Sequence, residues 1–359
     1  MLLFGVLLPL GLAVVFGAVA VRGAARNGDA ATASYPSGIA AAGDSLSTGY
    51  GSVDRPGQPA RDHPENSWAI GGNPAVASHY GRIRRKWPQI TGRTLLAAQD
   101  GAHVAALGGQ LERVASHGEI DYVTIQIGVN DICDARRPSE ITPPRVFRTR
   151  FARALDVLRR GAPNARLLVT SLADEARWND AVLQIPGMAS QIEDGTVCDP
   201  MGRSDGRQNP AVRALIHRYE EAYNRVLASI CAHFLHCRYD GGALYRLAYR
   251  PEDVSKHDAF HPSVKGLAKM AAVTWRASFD FTNGDPPPRP SATVSRSSAY
   301  STVTLRVSGD SSVRGIECRR NGGPYAPYRR ALRLPHGSRL TCRAVGVEGN
   351  FSASRVVVV

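Results

Sequence analysis

Short apolar runs alternate with segments of helical periodicity through the first three quarters of the chain. The clearest run, DYVTIQI at residues 121–127, is β-branched and apolar and ends at Gly128, which is typical of a buried strand. Residues 104–117 and 211–233 repeat apolar positions at helical spacing. This alternation predicts an α/β domain with a doubly wound parallel sheet between two helical layers, a three-layer sandwich.

The same pattern predicts the remaining elements of this domain. The predicted strands are 38–42, 94–98, 121–127, 167–171 and 238–240. The predicted helices are 73–83, 104–117, 144–160, 211–233 and 263–279. Residues 173–210, rich in Gly, Pro and polar side chains, are expected to be irregular. Functional sites of such sheets form from loops at the carboxyl ends of the strands.

Both ends of the chain differ from this domain. Residues 1–21 carry no charge, so we interpret residues 1–25 as a signal peptide or membrane anchor and 26–37 as a spacer. The proline-rich residues 283–290 form a predicted linker that separates the domain at 38–282 from residues 291–359. Short alternating segments in that last part predict a small all-β module.

Composition limits the function classes. The 359 residues are 43% hydrophobic, which excludes disorder throughout, and the net charge is +13. Residues 291–359 hold 11 arginines against three acidic residues, a net charge of +8. We expect this module to contact anionic cell-envelope polymers or lipid headgroups, unless the charge reflects only an arginine-rich composition. Nucleic-acid binding is not favoured, because no zinc-finger or basic-aromatic motif is present.

The number of cysteines bears on the compartment in which the protein is located. Six cysteines behind a predicted export segment favour disulfides, although six reduced thiols in a cytosolic protein are the alternative. Their 15 arrangements stay open, and no C-x-x-C occurs. The cysteines are Cys133, Cys198, Cys231, Cys237, Cys318 and Cys342.

Three segments carry complementary chemistry. Ser45, in Gly43-Asp44-Ser45, follows the first strand and is a candidate nucleophile, which requires a base. Asn130, after the strongest strand, is a candidate oxyanion donor, and Gly101 could add a backbone N–H. Asp258 stands three residues before His261, a spacing suited to an orienting carboxylate and its base. Taken singly, each segment could be a turn or a helix cap.

Other hydrolase signatures are missing from the sequence. Residue 47 is serine, so no G-x-S-x-G surrounds Ser45, and no H-E-x-x-H or phosphate-binding glycine loop occurs. His257 and His103 are weaker candidates for the base than His261. We expect neither a metal nor an organic cofactor.

The four blocks GDSLSTGYG, AQDGA, IGVND and DAFHP occur in the order and spacing of the SGNH/GDSL serine hydrolases, which this chain resembles over residues 39–279. The resemblance implies that Ser45 is the nucleophile, His261 the base and Asp258 its orienter. It also implies an oxyanion hole formed by Ser45, Gly101 and Asn130. Asp258-Ala259-Phe260 departs from the Asp-Tyr-Phe of many relatives.

The chain resembles secreted actinobacterial members of the family, which carry a cysteine just after the Asn-Asp block, here Cys133, and a late cysteine pair, here Cys231 and Cys237. Their usual bonding implies disulfides Cys133–Cys198 and Cys231–Cys237. Residues 291–359 resemble bacterial immunoglobulin-like modules, which implies Cys318–Cys342.

These features predict an exported, monomeric serine esterase or lipase, secreted or anchored facing outward, that cleaves lipid or acylated-carbohydrate esters through an acyl-enzyme. The alternative is a non-catalytic surface-binding protein built on a hydrolase scaffold.

Overall fold

The first strand of the central sheet is unusually small in its side chains. Residues Ile39–Gly43 read IAAAG and are all buried, which allows neighbouring elements to approach closely. In the computed structural model, which describes residues 34–55, 57–188, 198, 209–308 and 312–359, five parallel strands form this sheet. Their order is β2-β1-β3-β4-β5, with β1 Ile39–Gly43, β2 Thr94–Leu96, β3 Tyr122–Gln126, β4 Arg166–Val169 and β5 Cys237–Tyr239.

Helices cover the sheet on both faces, since right-handed crossovers in this strand order place them on opposite sides. The helices are α1 Ser45–Thr48, α2 His79–Lys86, α3 Leu107–His117, α4 Asn130–Cys133, α5 Pro144–Gly161, α6 Glu175–Val182, α7 Pro210–Cys231 and α8 Val264–Ala277. α3, α5 and α7 pack in a row. α2 meets α8 through His79, whose Nε2 lies 2.9 Å from the Thr274 hydroxyl. The predicted doubly wound parallel sheet with flanking helices is confirmed.

His79 is part of the core and not of a site. Its Nδ1 lies 2.8 Å from the Tyr122 hydroxyl, and complete burial lowers the pKa of His79 to about 3. The ring is therefore neutral and ties α2 to the sheet and to α8. The largest fully buried side chains around it and across the sheet include Trp68, Tyr122, Phe147, Phe151, Tyr223 and Phe281.

Two predicted element boundaries are wrong. Helix 73–83 is replaced by a turn, in which the Asn73 side chain accepts from Ala75 N, and by α2, which starts only after its cap Ser78. The predicted irregular segment 173–210 contains α6, capped by the Asp174 carboxylate, and its end overlaps the start of α7 at Pro210. Of residues 189–208, only Cys198 is described. The predicted N-terminal segment at 1–25, and most of the spacer, lie outside the described residues.

Two antiparallel sheets follow the proline-rich segment. One has the order β10-β7-β6 and the other β12-β11-β8-β9. Their strands are β6 Ser291–Arg296, β7 Ser301–Arg306, β8 Val313–Arg320, β9 Ala326–Pro327, β10 Leu332–Leu334, β11 Arg339–Gly346 and β12 Arg355–Val358. The all-β character predicted for residues 291–359 is confirmed.

The β module packs against the α/β domain through buried charges. Glu317 lies between His236 of the domain, at 3.2 Å, and Arg343 of the module, at 2.6 Å. Arg343 also donates to the Asn164 side chain and to the Pro163 carbonyl oxygen. Part of the module's positive charge is therefore used inside the protein. Within the described residues, no helix is both long enough and apolar enough to span a membrane.

Candidate active site

Ser45 lies in a turn whose backbone conformation is tightly restricted by the neighbouring strand. Gly43 ends β1 with φ of +130°, and a Cβ there would lie 1.7 Å from the Gln126 carbonyl oxygen, so only glycine fits. The Gln110 side chain bonds both the N–H and the carbonyl of Gly43, at 2.7 and 2.8 Å. Asp44 then caps α1 by accepting from Leu46 N at 3.1 Å. Ser45 is consequently held at the start of α1, at the carboxyl end of β1.

His261 and Asp258 form the hydrogen-bonded pair expected of a base and its orienter. Asp258 Oδ2 lies 2.6 Å from His261 Nδ1, while Oδ1 accepts from the backbone N–H groups of Phe260 and His261 at 3.0 and 2.9 Å. Burial opposes ionisation of Asp258, but these hydrogen bonds outweigh it and hold the pKa of Asp258 below its usual value. Because Nδ1 donates to the carboxylate, Nε2 is left as the acceptor. Nε2 is buried and has no hydrogen-bond partner among the described residues.

The loop that carries this pair is joined to the segment after Ser45. The Ser255 hydroxyl donates to the Gly51 carbonyl oxygen at 2.6 Å, and Ser255 N donates to the His261 carbonyl oxygen at 2.8 Å. A Cβ on Gly51 would lie 3.4 Å from Asp258 Oδ2, and the Tyr50 ring lies 4.7 Å from the His261 ring. The nucleophile loop and the base loop are therefore in direct contact.

The other two proposed oxyanion donors follow β2 and β3, the strands on either side of β1. Asn130 starts α4, is buried, and uses one amide hydrogen on the Ala102 carbonyl oxygen at 3.1 Å. Its second amide hydrogen stays available. Gly101, in the same loop as Ala102, has φ of +66°. Asp131 fastens this loop to α4 by accepting from Val104 N at 2.7 Å.

The surroundings of His261 are acidic. Burial raises the pKa of Asp100, and the nearby His261 partly offsets this. Burial, followed by the carboxylates of Asp100 and Asp258, raises the pKa of Tyr50. The two weaker histidine candidates make other contacts: His257 Nδ1 lies 3.2 Å from the Arg55 carbonyl oxygen, and His103 pairs with Asp134 at 2.9 Å. The hydrogen bond that His103 donates to the Asp134 carboxylate raises the pKa of His103.

Several supporting residues were not predicted. They are Gln110, Asp131, Ser255 and Tyr50, each of which contacts a proposed site residue or its loop. Gln110 could have been found from the sequence, because it is a polar residue on the apolar, buried face of α3, between Leu107 and Leu111. The bond from the Ser255 hydroxyl to Gly51 joins residues 204 positions apart, and no local pattern could indicate it.

The six cysteines are joined in three disulfides in the structure. In Cys133–Cys198, Cys133 is the last residue of α4, the helix that starts at Asn130. Cys231–Cys237 joins the end of α7 to the start of β5. Cys318–Cys342 links facing positions of β8 and β11. Among the described residues, no cluster of three or more His, Cys, Asp or Glu side chains is arranged to hold a metal ion.

A family model described as GDSL-like Lipase/Acylhydrolase matches residues 41–269, which include every residue of this site. The chain belongs to the GDSL-like lipase/acylhydrolase family. The general chemistry of this family member is therefore hydrolysis of carboxylic esters. No curated protein matches the chain.

Solved structures match this GDSL-like acylhydrolase at low similarity. The acetylxylan esterase Axe2 from Geobacillus stearothermophilus is 15% identical, with TM-score 0.41, over 70% of this chain and 100% of that one. A putative lipolytic protein of the G-D-S-L family from Desulfitobacterium hafniense DCB-2 is 14% identical, with TM-score 0.39, over 67% and 99%. LAE5, from the metagenome of Lake Arreo, Spain, is 17% identical, with TM-score 0.40, over 67% and 94%. These likenesses do not bear on the substrate of this chain.

Proposed function

We propose that this acylhydrolase is an exported serine esterase that works through an acyl-enzyme on Ser45. The observation that carries the proposal is the Asp258–His261 pair, with Nδ1 bound to the carboxylate and a buried Nε2 left without a partner among the described residues. A neutral ring in this tautomer accepts a proton at Nε2, as activation of a serine hydroxyl requires.

The proposed reaction has two halves. Ser45 Oγ attacks the ester carbonyl carbon while its proton passes to His261 Nε2, and the carbonyl oxygen becomes an oxyanion. The intermediate collapses with cleavage of the C–O bond, and His261 returns the proton to the leaving alcohol. Water then attacks the acyl-enzyme, again losing its proton to His261, and releases the acid and free Ser45.

Three donors are proposed for the oxyanion: the backbone N–H groups of Ser45 and Gly101, and the Asn130 amide. Two features of the Asn130 side-chain amide support this role. One of its hydrogens is bound to the Ala102 carbonyl oxygen, which fixes the amide in place, and the other remains available for the oxyanion. Loss of one such donor costs about 100- to 1,000-fold in rate. Asn130→Ala should therefore be slow yet folded.

Export, as a secreted protein or one anchored facing outward, is supported by the uncharged residues 1–21 and by the three disulfides. The substrate is proposed to be a lipid ester or an acylated saccharide, and the protein to act as a monomer. Residues 291–359 are proposed to be an immunoglobulin-like module that contacts anionic envelope polymers or lipids. The arginines proposed to make this contact are exposed ones outside the interface with the α/β domain, such as Arg306, Arg329 and Arg330.

The test is hydrolysis of short-chain aryl esters by the wild type and by Ser45→Ala, His261→Gln and Asn130→Ala, followed by a chain-length series beside an acetylated polysaccharide. We expect turnover by the wild type, with Ser45→Ala and His261→Gln losing nearly all of it. Equal turnover by Ser45→Ala would refute the assignment. No turnover by the folded wild type on any ester would favour the non-catalytic binding protein. The preferred ester identifies the substrate class.

A further inference from the structure

A pocket of about 580 Å³ opens at the end of the domain away from Ser45. Its walls combine cations and aromatic rings, among them Arg82, Arg85, Arg276, Tyr35 and Trp275. We call it the amino-end pocket, because it lies where the strands of the central sheet begin. The proposed function makes no use of it.

Helix α8 separates this pocket from the candidate active site. His261 lies just before the first residue of α8, Val264, whereas Trp275 and Arg276 belong to its last turn. At about 1.5 Å per residue, the two ends are about 18 Å apart along the helix. Phe281, which also lines the pocket, packs on Tyr122, the first residue of β3, with ring centroids 5.0 Å apart.

Four of the five cations that line this pocket have no counter-ion among the described residues, and the fifth, Arg238, is paired. Within the described part of the chain, no carboxylate lies in ion-pair distance of Arg82, Arg85, Lys86 or Arg276. Half-buried Arg82 donates from Nε to the Ala77 carbonyl oxygen at 2.8 Å, and its guanidinium carbon lies 5.8 Å from the centre of the Trp275 ring. Its Nη groups remain available for a ligand.

The two carboxylates near these cations already have partners: Glu348 pairs with Arg238, and Asp280, which is itself part of the pocket wall, accepts hydrogen bonds from Thr282. Arg238 pairs with Glu348 at 2.9 Å and donates to the Ser278 carbonyl oxygen. Asp280 accepts from the N–H and hydroxyl of Thr282, at 2.9 and 2.6 Å. Burial, followed by the charges of Arg85 and Arg276, lowers the pKa of Arg82, so each of these two guanidinium groups repels that of Arg82. A bound anion would relieve this repulsion.

We propose that the amino-end pocket binds an organic phosphate. The phosphoryl group lies between the guanidinium groups of Arg82, Arg85 and Arg276, and the organic substituent lies against Tyr35 and Trp275. Guanidinium groups bind phosphate oxygens in pairs, and three of them suit a group that carries up to two negative charges. The aromatic walls suit an apolar substituent, which distinguishes this site from a site for inorganic anions.

Binding is tested by titrating the full-length protein with two probes. One is phenyl phosphate, a soluble organic phosphate with an apolar substituent, and the other is vesicles of phosphatidylglycerol in phosphatidylcholine, with pure phosphatidylcholine vesicles as the blank. The test variant is Arg82→Gln/Arg85→Gln/Arg276→Gln. The matched control is Arg145→Gln/Arg153→Gln/Arg160→Gln, which removes the same charge from exposed positions of helix α5, outside both the pocket and the β module.

We expect at least one probe to bind, with roughly hundredfold weaker binding by the test variant and little change in the control. Binding of phenyl phosphate identifies a soluble ligand, whereas binding of the vesicles alone identifies a lipid headgroup. If the test variant does not fold, the single exposed change Arg276→Gln replaces it, with an expected loss of about tenfold.

Two outcomes overturn the proposal: neither probe binds, whether or not duplex DNA does, or the control weakens binding as much as the test variant. Ester turnover is not a readout here, so failure of the proposed function leaves the result interpretable. A Trp275→Leu variant reports on the aromatic wall, since it should weaken binding while keeping all three arginines.

Discussion

The indole N–H of Trp178 donates to the carbonyl oxygen of Ala259 at 3.0 Å. Ala259 lies between Asp258 and His261 in the chain and has φ of +56°, a left-handed conformation that alanine rarely adopts. Trp178 belongs to α6 and packs with Tyr249 and Val254 beneath this loop. A helix outside the proposed triad thus supports the backbone that joins the base to its orienter.

Replacing Trp178 by phenylalanine removes this hydrogen bond while keeping most of the aromatic packing. We predict a fall in kcat of between about tenfold and a hundredfold with KM little changed, because the base loop loses its fixed position. The free energy of unfolding should fall by about 1 kcal/mol. Steady-state kinetics and urea unfolding check both effects. The control is Trp87→Phe, at the other end of the domain, and an equal loss of kcat in it would contradict a role specific to Trp178.

Asp258→Asn tests the orienting carboxylate. An amide can hold the ring in the wrong tautomer, so kcat should fall by about four orders of magnitude. The pKa of Asp258 is below its usual value in the folded protein, so its ionised form stabilises the fold at neutral pH. That contribution is lost as pH falls below about 4, through the pKa of the folded protein.

Urea unfolding of the wild type and Asp258→Asn, at neutral pH and at about pH 3, measures this linkage. The difference in stability between the two proteins should shrink at the lower pH. A difference that stays constant would show that Asp258 gains nothing from its hydrogen bonds.

Glu175 and Glu220 give stability the opposite dependence on pH. Glu220 Oε1 accepts from Glu175 N at 2.9 Å, and burial together with the charge of Asp174 raises the pKa of Glu175 to about 8. A carboxyl with a raised pKa stabilises the fold in its neutral form, and this stability is lost as pH rises from about 4.5 towards 8. Glu175→Gln should therefore lose less Tm than the wild type between about pH 5 and pH 8. Parallel falls in Tm would refute this, and exposed Glu112→Gln should behave as the wild type does.

Glu317 tests how firmly the β module is joined to the α/β domain. It is buried between His236 and Arg343, and breaking such a pair from one side typically costs about 3–5 kcal/mol. Chemical unfolding of Glu317→Gln should show a loss of this size, whereas Glu112→Gln should be neutral. A neutral Glu317→Gln would mean that the interface contributes little, and would support treating residues 291–359 as separable.

The sheet and the four motif segments of the site could be predicted because each strand and each motif is a short, continuous stretch of sequence. Residues 121–127 are rich in β-branched and apolar side chains and end at Gly128, which is typical of a buried strand. Ser45, Gly101 and Asn130 each follow a strand, so topology places them at one edge of the sheet. The predicted helix at 73–83 fails because Asn73 and Pro74 favour a turn, and only Ser78 offers a cap. The short helix α6 was hidden in a polar segment, although Asp174 is a regular capping residue.

Other features depend on contacts that no local pattern records. The bonds from Ser255 to Gly51 and from Trp178 to Ala259 join distant segments, as does the pairing of the module strands. The charge of +8 in residues 291–359 suggested a surface for anions, yet Arg343 is buried at the interface with the domain. The unpaired cations of the amino-end pocket come instead from α2 and α8.

The most direct measurement of the central claim is labelling with a fluorophosphonate, which reacts only with an activated serine, followed by mass spectrometry of the labelled peptide. We predict one adduct on Ser45 in the folded wild type, none in Ser45→Ala, and much slower labelling in Asp258→Asn. An adduct on another serine, or no adduct on the folded wild type, would contradict it.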